Sequence, residues 1–424
     1  MGSEKMRIIA DLHLHSKYSR ATSKELDLKN LEKYARVKGV GLLGTGDFTH
    51  PIWVKEVLGE LKEDENGILW SNGKFPFIWQ TEVSIVYSQG GKGRRIHYVL
   101  LAPDYGAVKK ITDYFLSKGR IDYDGRPIFA INSIDLAEKM LQLDERIEVI
   151  PAHIWTSWFG LLGSESGFDS LKECFGKRFA NVNSIETGMS SDPAMNWRIK
   201  ELDDYTLISS SDAHSFWPWR LGREANVLEM DEISYKNILT AIRTRKGFIE
   251  TIEVDPGYGK YHFTGHRAHN VFMSPKDALK LNNICPVCRQ KMTVGVLQRV
   301  DELAAREDGY VPEGAIPFKK IVPLTELIIA VNGGALAGKK TWQEFYKLVA
   351  DGRSEYDVLL EMEEKEIRRI SGDKLADLIM KNREGKLEIR PGYDGEYGKL
   401  VVGNEAEEKA APPLKTQKGL DEFY

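Results

Sequence analysis

Over the first 250 residues, short aliphatic or β-branched runs alternate with longer stretches whose apolar positions recur every three to four residues. The runs at 6–12, 75–84, 96–101, 147–151 and 206–209 have strand length, and the stretches at 28–38 and 233–245 have helical periodicity, the second closed by Gly247 as a C-cap. Such alternation predicts an α/β fold of βα units around a parallel sheet or barrel. Asp255-Pro256-Gly257-Tyr258-Gly259 then reads as a turn-rich link into a segment carrying His and Cys. Helical periodicity returns at 341–349, 356–362 and 367–381. The expected domains are 1–250, 251–325 and 326–403, followed by a flexible polar tail over 404–424.

A length of 424 residues agrees with more than one domain. No apolar run approaches the roughly 20 residues of a membrane span, and the N-terminus has no signal-peptide pattern. Three cysteines, two of them in Cys285-Pro-Val-Cys288, favour a reduced compartment and a metal site over a disulfide framework. The expectation is a cytoplasmic monomer without membrane contact. A net charge of −4 neither supports nor excludes nucleic-acid binding, because phosphate contacts depend on local clusters such as Lys92-Gly93-Arg94-Arg95 or Lys319-Lys320.

Candidate chemistry starts at Asp11-Leu12-His13-Leu14-His15. Residues two apart on a strand point to one side, so His13 and His15 can face one metal. A lone histidine is usually a surface or core residue. Here, however, further candidates recur at strand ends: Asp47, His50, Glu82, His97, His153, Asp212 and His214, so that six of the nine histidines fall in the set. Imidazole mixed with carboxylate suits two or three divalent ions (zinc, manganese or magnesium), and one carboxylate can bridge two of them. Such a group lowers the pKa of water and neutralises phosphate, which is what ester hydrolysis needs.

This ordered series resembles the ligand series of the polymerase-and-histidinol-phosphatase (PHP) superfamily. The resemblance implies a distorted (β/α)7 barrel with metals at the C-terminal ends of the strands. The chain departs from the superfamily in having Ser19-Arg20-Ala21 where many members carry a further ligand, and Phe48 where many carry His. His50 is the substitute considered for that ligand.

Around the cluster, Trp155, Trp158, Trp217 and Trp219 read either as packing or as a pocket that stacks on a nucleobase. The loop 190–198 offers Asp192 as a helix N-terminus or as an extra catalytic carboxylate beside Asp212 and His214, with Arg198 for phosphate. His266 and His269, followed by Cys285 and Cys288, have the spacing of a structural zinc knuckle, with His262 as competitor. Gly333 to Lys340 nearly matches a phosphate-binding loop, but Lys340 stands where Ser or Thr is needed, and nucleotide binding is declined. At the C-terminus, Gln417, Leu420, Phe423 and Tyr424 match a motif for the replication sliding clamp (PCNA).

Taken together, the PHP-like part, the zinc segment, the helical part and the tail resemble the endonuclease Q family over nearly the whole chain. That resemblance implies metal-dependent cleavage of damaged DNA on the 5′ side of deaminated bases (uracil, hypoxanthine, xanthine) or abasic sites. The alternatives are a histidinol-phosphatase-like phosphatase of small molecules and a non-catalytic adaptor. The zinc segment, helices and tail count against the first, and the number of ionisable ligand candidates counts against the second.

Overall fold

The continuous apolar run Ile8-Ile9-Ala10 within Met6–Asp11, with Ile8 and Ala10 packed into one cluster and Ile9 against another, makes it a central strand, paired in parallel with Leu42–Gly44 and antiparallel with Ala225–Met230. The structure, a computed structural model, describes residues 5–401. The clamp-type motif at Gln417, Leu420, Phe423 and Tyr424 lies outside the described residues. From Leu42–Gly44 the sheet continues through Pro76–Gln89, Lys92–Ala102 and Glu148–Pro151. On the other side, Ala225–Met230 pairs with Phe248–Glu253, which in turn pairs with Phe318–Lys320.

A parallel pair, Ser184–Glu186 and Thr206–Ile208, lies between Glu148–Pro151 and the first strand. One side is joined by Val149 N to Asn181 O (2.8 Å) and Ile154 N to Glu186 O (3.1 Å). The other is closed by the Asn226 amide, which donates to Ser209 O (2.7 Å) and Ala10 O (3.3 Å), and by a parallel bridge between Leu14 and Ala213. The strands thus form a ring with a side-chain seam, an α/β arrangement around a mixed sheet.

The sheet is less parallel than the alternation of runs predicts, for a local reason. Gly90 and Gly91 both have positive φ (63° and 73°) and turn Pro76–Gln89 directly back into Lys92–Ala102 as an antiparallel hairpin. Two-residue hairpin turns with positive φ select glycine. Leu28–Lys38 is helical as expected, capped by the Asp27 side chain, which accepts from Asn30 N. Tyr235–Thr244 ends earlier than expected: Arg245, with φ 63°, makes the cap instead of Gly247. The expected helix over 367–381 is broken at Gly372 into Glu364–Ser371 and Asp373–Arg383.

Phe248–Glu253 runs across the expected boundary at residue 250, and Phe318–Lys320 extends the same sheet from within the second expected segment. The helices after 323 share the core of the mixed sheet, since one apolar cluster runs from Leu14 to Ile379. Beside it, Lys38 and Glu355 form a fully buried ion pair (2.9 Å), with Lys38 Nζ also donating to Pro218 O. The His- and Cys-bearing segment has a separate buried cluster of only Ala278, Cys285 and Met292.

Candidate metal centre and active site

The ends of the strands deliver seven of the candidate side chains to one buried region. His13 and His15 follow the first strand, Glu82 lies within Pro76–Gln89, and His97 lies opposite on Lys92–Ala102. His153 follows Glu148–Pro151, and Asp212 with His214 follows Thr206–Ile208. Asp47, His153 and Asp212 have positive φ (42°, 30° and 48°), a conformation that non-glycine residues seldom adopt and that concentrates at functional sites.

Two donor groups share one carboxylate. The first consists of His13, His15, Glu82 and Asp212, the second of Glu82, His97 and His153. Glu82 Oε2 lies 3.2 Å from His15 Nε2 and 3.5 Å from His13 Nε2, while Oε1 lies 2.8 Å from His97 Nδ1 and 3.2 Å from His153 Nε2. Asp212 Oδ1 closes the first group at 3.0 Å from His15 Nε2 and 3.7 Å from His13 Nε2. Around an ion with bonds of about 2.0–2.2 Å, neighbouring donors sit about 3.0–3.6 Å apart, so the spacing fits. His13 Nε2 supplies the sharpest indication: it is buried and has no hydrogen-bond partner. The residues present therefore fit divalent ions.

A surrounding layer fixes these groups. Both carboxylate oxygens of Glu186 lie 3.0 Å from His13 Nδ1, which turns Nε2 toward the cluster, and Glu186 Oε2 also accepts from His153 N (2.9 Å). Asp47 does the same for His15. One oxygen faces His15 Nδ1 at 3.1 Å, and the other accepts from Ser16 N, Ser16 Oγ and Ser19 Oγ at 2.6–2.8 Å. Burial opposes charge on both imidazoles, but the surrounding carboxylates outweigh it and raise His13 and His15 well above the ordinary histidine range. Burial pushes His97 down to about 4, although it shares Glu82 with His153, whose pKa is raised. The excess negative charge is what divalent cations would neutralise.

Several expectations need correction. Asp47 belongs to the outer layer, because its oxygens are occupied by serines and by the far side of His15. His50 stands apart, stacked on Tyr18 at 4.4 Å. His214 packs on His15 (4.5 Å between rings) with Nδ1 on Asp212 O (2.9 Å), at the edge of the donor group rather than in it. Asp192 caps the helix Pro193–Trp197, accepting from Met195 N (2.9 Å), and pairs with Lys320 (2.8 Å), so the plainer reading of that loop holds. Arg198 pairs with Asp301 (2.6 Å). Trp155 is fully buried and bonds Asn196 Oδ1 (2.8 Å), which makes it core. Trp158 rests edge-on against Tyr261 (5.4 Å), and Trp217 lies in a stack between Trp219 and Trp342.

Trp219 lines a cavity of about 190 Å³ with Arg220, Arg223, Tyr258, Glu326 and Tyr397. Arg223, in the lining of this cavity, also donates to the backbone oxygen of Ser211, the residue before Asp212. Glu186, Arg126 and the partners of Asp47 were not anticipated. A carboxylate inside the apolar run 184–186 was the one available signal for Glu186, and Arg126 had none.

The second metal-type group is built as expected. His266, His269, Cys285 and Cys288 converge, with His266 Nδ1 3.3 Å from Cys288 Sγ and His269 Nδ1 3.9 Å from Cys285 Sγ. Burial works against thiolate at Cys285, yet backbone amides of the Cys-x-x-Cys turn and His266 outweigh it and bring its pKa down to about 7. His262 lies outside the group.

No family model matches the chain. An uncharacterized protein of Methanocaldococcus jannaschii is 37% identical over 256 residues, 58% of this chain and 31% of that protein, so the chain spans about a third of that relative's length. An uncharacterized protein of Bacillus subtilis is 27% identical over 421 residues, 93% of this chain and 99% of that one. Two solved structures match at TM-score 0.84. One is the lesion-specific endonuclease of Pyrococcus furiosus, 31% identical over 97% of this chain and 100% of that chain. The other is endonuclease Q in complex with a 27-mer duplex carrying an abasic lesion at the active site, 32% identical over 96% of this chain and 100% of that chain. Likeness over the full length of two solved endonucleases supports a nuclease of the hydrolase class. Identity and full-length coverage go further, and the chain belongs to the endonuclease Q family. Among the described residues no helix is long and apolar enough to cross a membrane.

Proposed function

We propose that this chain is a metal-dependent DNA-repair endonuclease that cuts the phosphodiester on the 5′ side of deaminated bases or abasic sites. The observation that carries the reading is Glu82, whose two oxygens face two separate sets of buried nitrogen and oxygen donors. Divalent ions bound there supply Lewis acidity and a water acidic enough to attack a phosphodiester near neutral pH. His13, His15, Glu82 and Asp212 would hold one ion, and Glu82, His97 and His153 a second.

The chain's own groups do the rest. Glu186 and Asp47 keep His13 and His15 in the tautomer and orientation that present Nε2. His214, a third exposed and with Nδ1 donating to Asp212 O, presents its Nε2 lone pair at the edge of the cluster, where it can take up or hand over a proton at the reacting phosphate. The cavity that Arg223 links to the loop before Asp212 has an aromatic wall from Trp219 and polar groups from Arg220, Arg223 and Glu326. It also contains the buried Tyr258 hydroxyl, which lacks a partner within the protein. An extruded base needs this combination of π face and edge contacts. The His–Cys group is assigned to one structural zinc, and residues 417–424 to the sliding clamp.

The experiment is incubation of purified protein with duplexes carrying one uracil, hypoxanthine or abasic site, with and without Mn²⁺ or Mg²⁺, and mapping of the cut. The reading requires metal-dependent incision 5′ to the lesion with a 3′-hydroxyl end. Incision elsewhere, or undiminished incision in excess chelator, contradicts it.

A further inference from the structure

Arg126 lies inside the cluster without being a ligand. Its guanidinium is 3.0 Å from Glu82 Oε2, the same oxygen that faces His13 and His15, and Glu82 is fully buried. The loop that carries it is shaped to put it there. Asp124 Oδ1 accepts from Arg126 N (3.1 Å) and from Arg20 N (3.3 Å), Gly125 N donates to Tyr18 O (3.0 Å), and Pro127 O accepts from Ser84 N (3.0 Å). A Cβ on Gly125 would collide with Asp47 and Ser19, so only glycine lets the loop approach this closely. At the same place, both oxygens of Asp47 are taken by Ser16, Ser19 and His15, and His50 is stacked away on Tyr18.

We propose that Arg126 is the built-in third positive charge of this centre: a two-ion site completed by a guanidinium that binds a non-bridging oxygen of the scissile phosphate. The inference rests on the two-ion reading above. One of the five N–H donors of Arg126 meets Glu82, and a quarter of its side chain remains exposed, leaving donors for an incoming phosphate. Guanidinium stays protonated at any working pH and offers a fork matched to phosphate oxygens, so the charge cannot be lost as an ion can be. As negative charge grows on the phosphate during attack, donors already aimed at it strengthen without rearrangement. The same cation would repel an ion held at Glu82. Arg126 therefore favours the transition state at the expense of metal affinity, the reverse of what a ligand does.

The opposing signs give the test. Mn²⁺, which favours oxygen and imidazole over thiolate, is titrated into metal-stripped full-length protein by calorimetry, and single-turnover incision of an abasic duplex is measured at saturating Mn²⁺. Wild type should take up two Mn²⁺ at the cluster, identified by the loss of one in His13→Ala and of the other in His97→Ala. Arg126→Ala should bind Mn²⁺ about tenfold more tightly or better, yet cut at least about 100-fold more slowly. Arg126→Lys should restore wild-type Mn²⁺ affinity and part of the rate. Tighter binding also reports that the variant is folded. The proposal is overturned if Arg126→Ala binds Mn²⁺ no more tightly, if it cuts at the wild-type rate, or if wild type holds a third Mn²⁺ at the cluster. Absence of Mn²⁺ binding in wild type overturns the two-ion reading itself, and this inference with it.

Discussion

At the scale of single residues, the chain separates groups that look alike in sequence. Asp192 and Asp212 both stand in polar loops after a strand, but Asp212 faces His13 and His15 with its oxygen, whereas Asp192 caps a helix and holds Lys320. Asp212→Ala should therefore abolish incision with little loss of stability. Asp192→Ala should keep the chemistry and lower stability by about 1 kcal/mol or more, since a cap is lost and Lys320 loses a buried partner. Single-turnover incision read alongside urea unfolding separates the two, and loss of incision without loss of stability in Asp192→Ala would return that residue to the site.

The identities and order of the donors were legible because alternation along a strand fixes which residues share a face. The layer each belongs to was not. Whether Asp47 meets a metal or the back of His15 depends on side chains 30 residues away, and no local pattern encodes that. Trp155 shows the same limit: a tryptophan two residues after a ligand candidate can point into a pocket or, as here, bond Asn196 in the core.

At the scale of elements, the hairpin Thr264–His266 with Val271–Met273 and the Cys-x-x-Cys turn depend on four side chains for cohesion, because the local core is three residues. Cys288→Ser should release about one zinc per chain and loosen this segment, seen as faster amide exchange over 262–294. Unchanged zinc content would remove the assignment. The convergence of these four side chains was readable from spacing alone, since Cys-x-x-Cys and His-x-x-His each bring two donors to one turn.

A second element-scale prediction concerns Glu148, buried on the strand Glu148–Pro151 against the helix Tyr235–Thr244. Burial pushes its pKa up to about 7, despite Arg243 Nε at 2.7 Å and the Asn183 amide at 2.9 Å. The folded state thus holds this proton more tightly than the unfolded chain, where Glu titrates near 4.5. Stability from the group is complete below that value and is lost as pH rises to about 7. Glu148→Gln should gain stability relative to wild type across this window and show a constant difference above it. Urea unfolding at several pH values checks this, and a pH-independent difference rules it out.

For the whole molecule, composition and patterning announced separate barrel and helical parts, yet one core runs through both. The reason is a class of contact that periodicity cannot show: Tyr34 against Trp342 at 6.4 Å, and the buried Lys38–Glu355 pair. Glu355 also accepts from Leu324 N (2.8 Å), fixing the start of the first C-terminal helix. Lys38→Met leaves a buried carboxylate without its cation and should cost about 3–5 kcal/mol, lowering one shared unfolding transition. Loss of the helices alone, with the barrel melting as before, would show that the parts are independent.

Glu82 would be shared by two ions, and anomalous diffraction from Mn²⁺-soaked crystals of the protein tests this most directly. It should show two peaks about 3.5–4 Å apart, one among His13, His15 and Asp212 and the other between His97 and His153, with Glu82 between them. A single peak, or density centred on Asp47 and His50 instead, would contradict it.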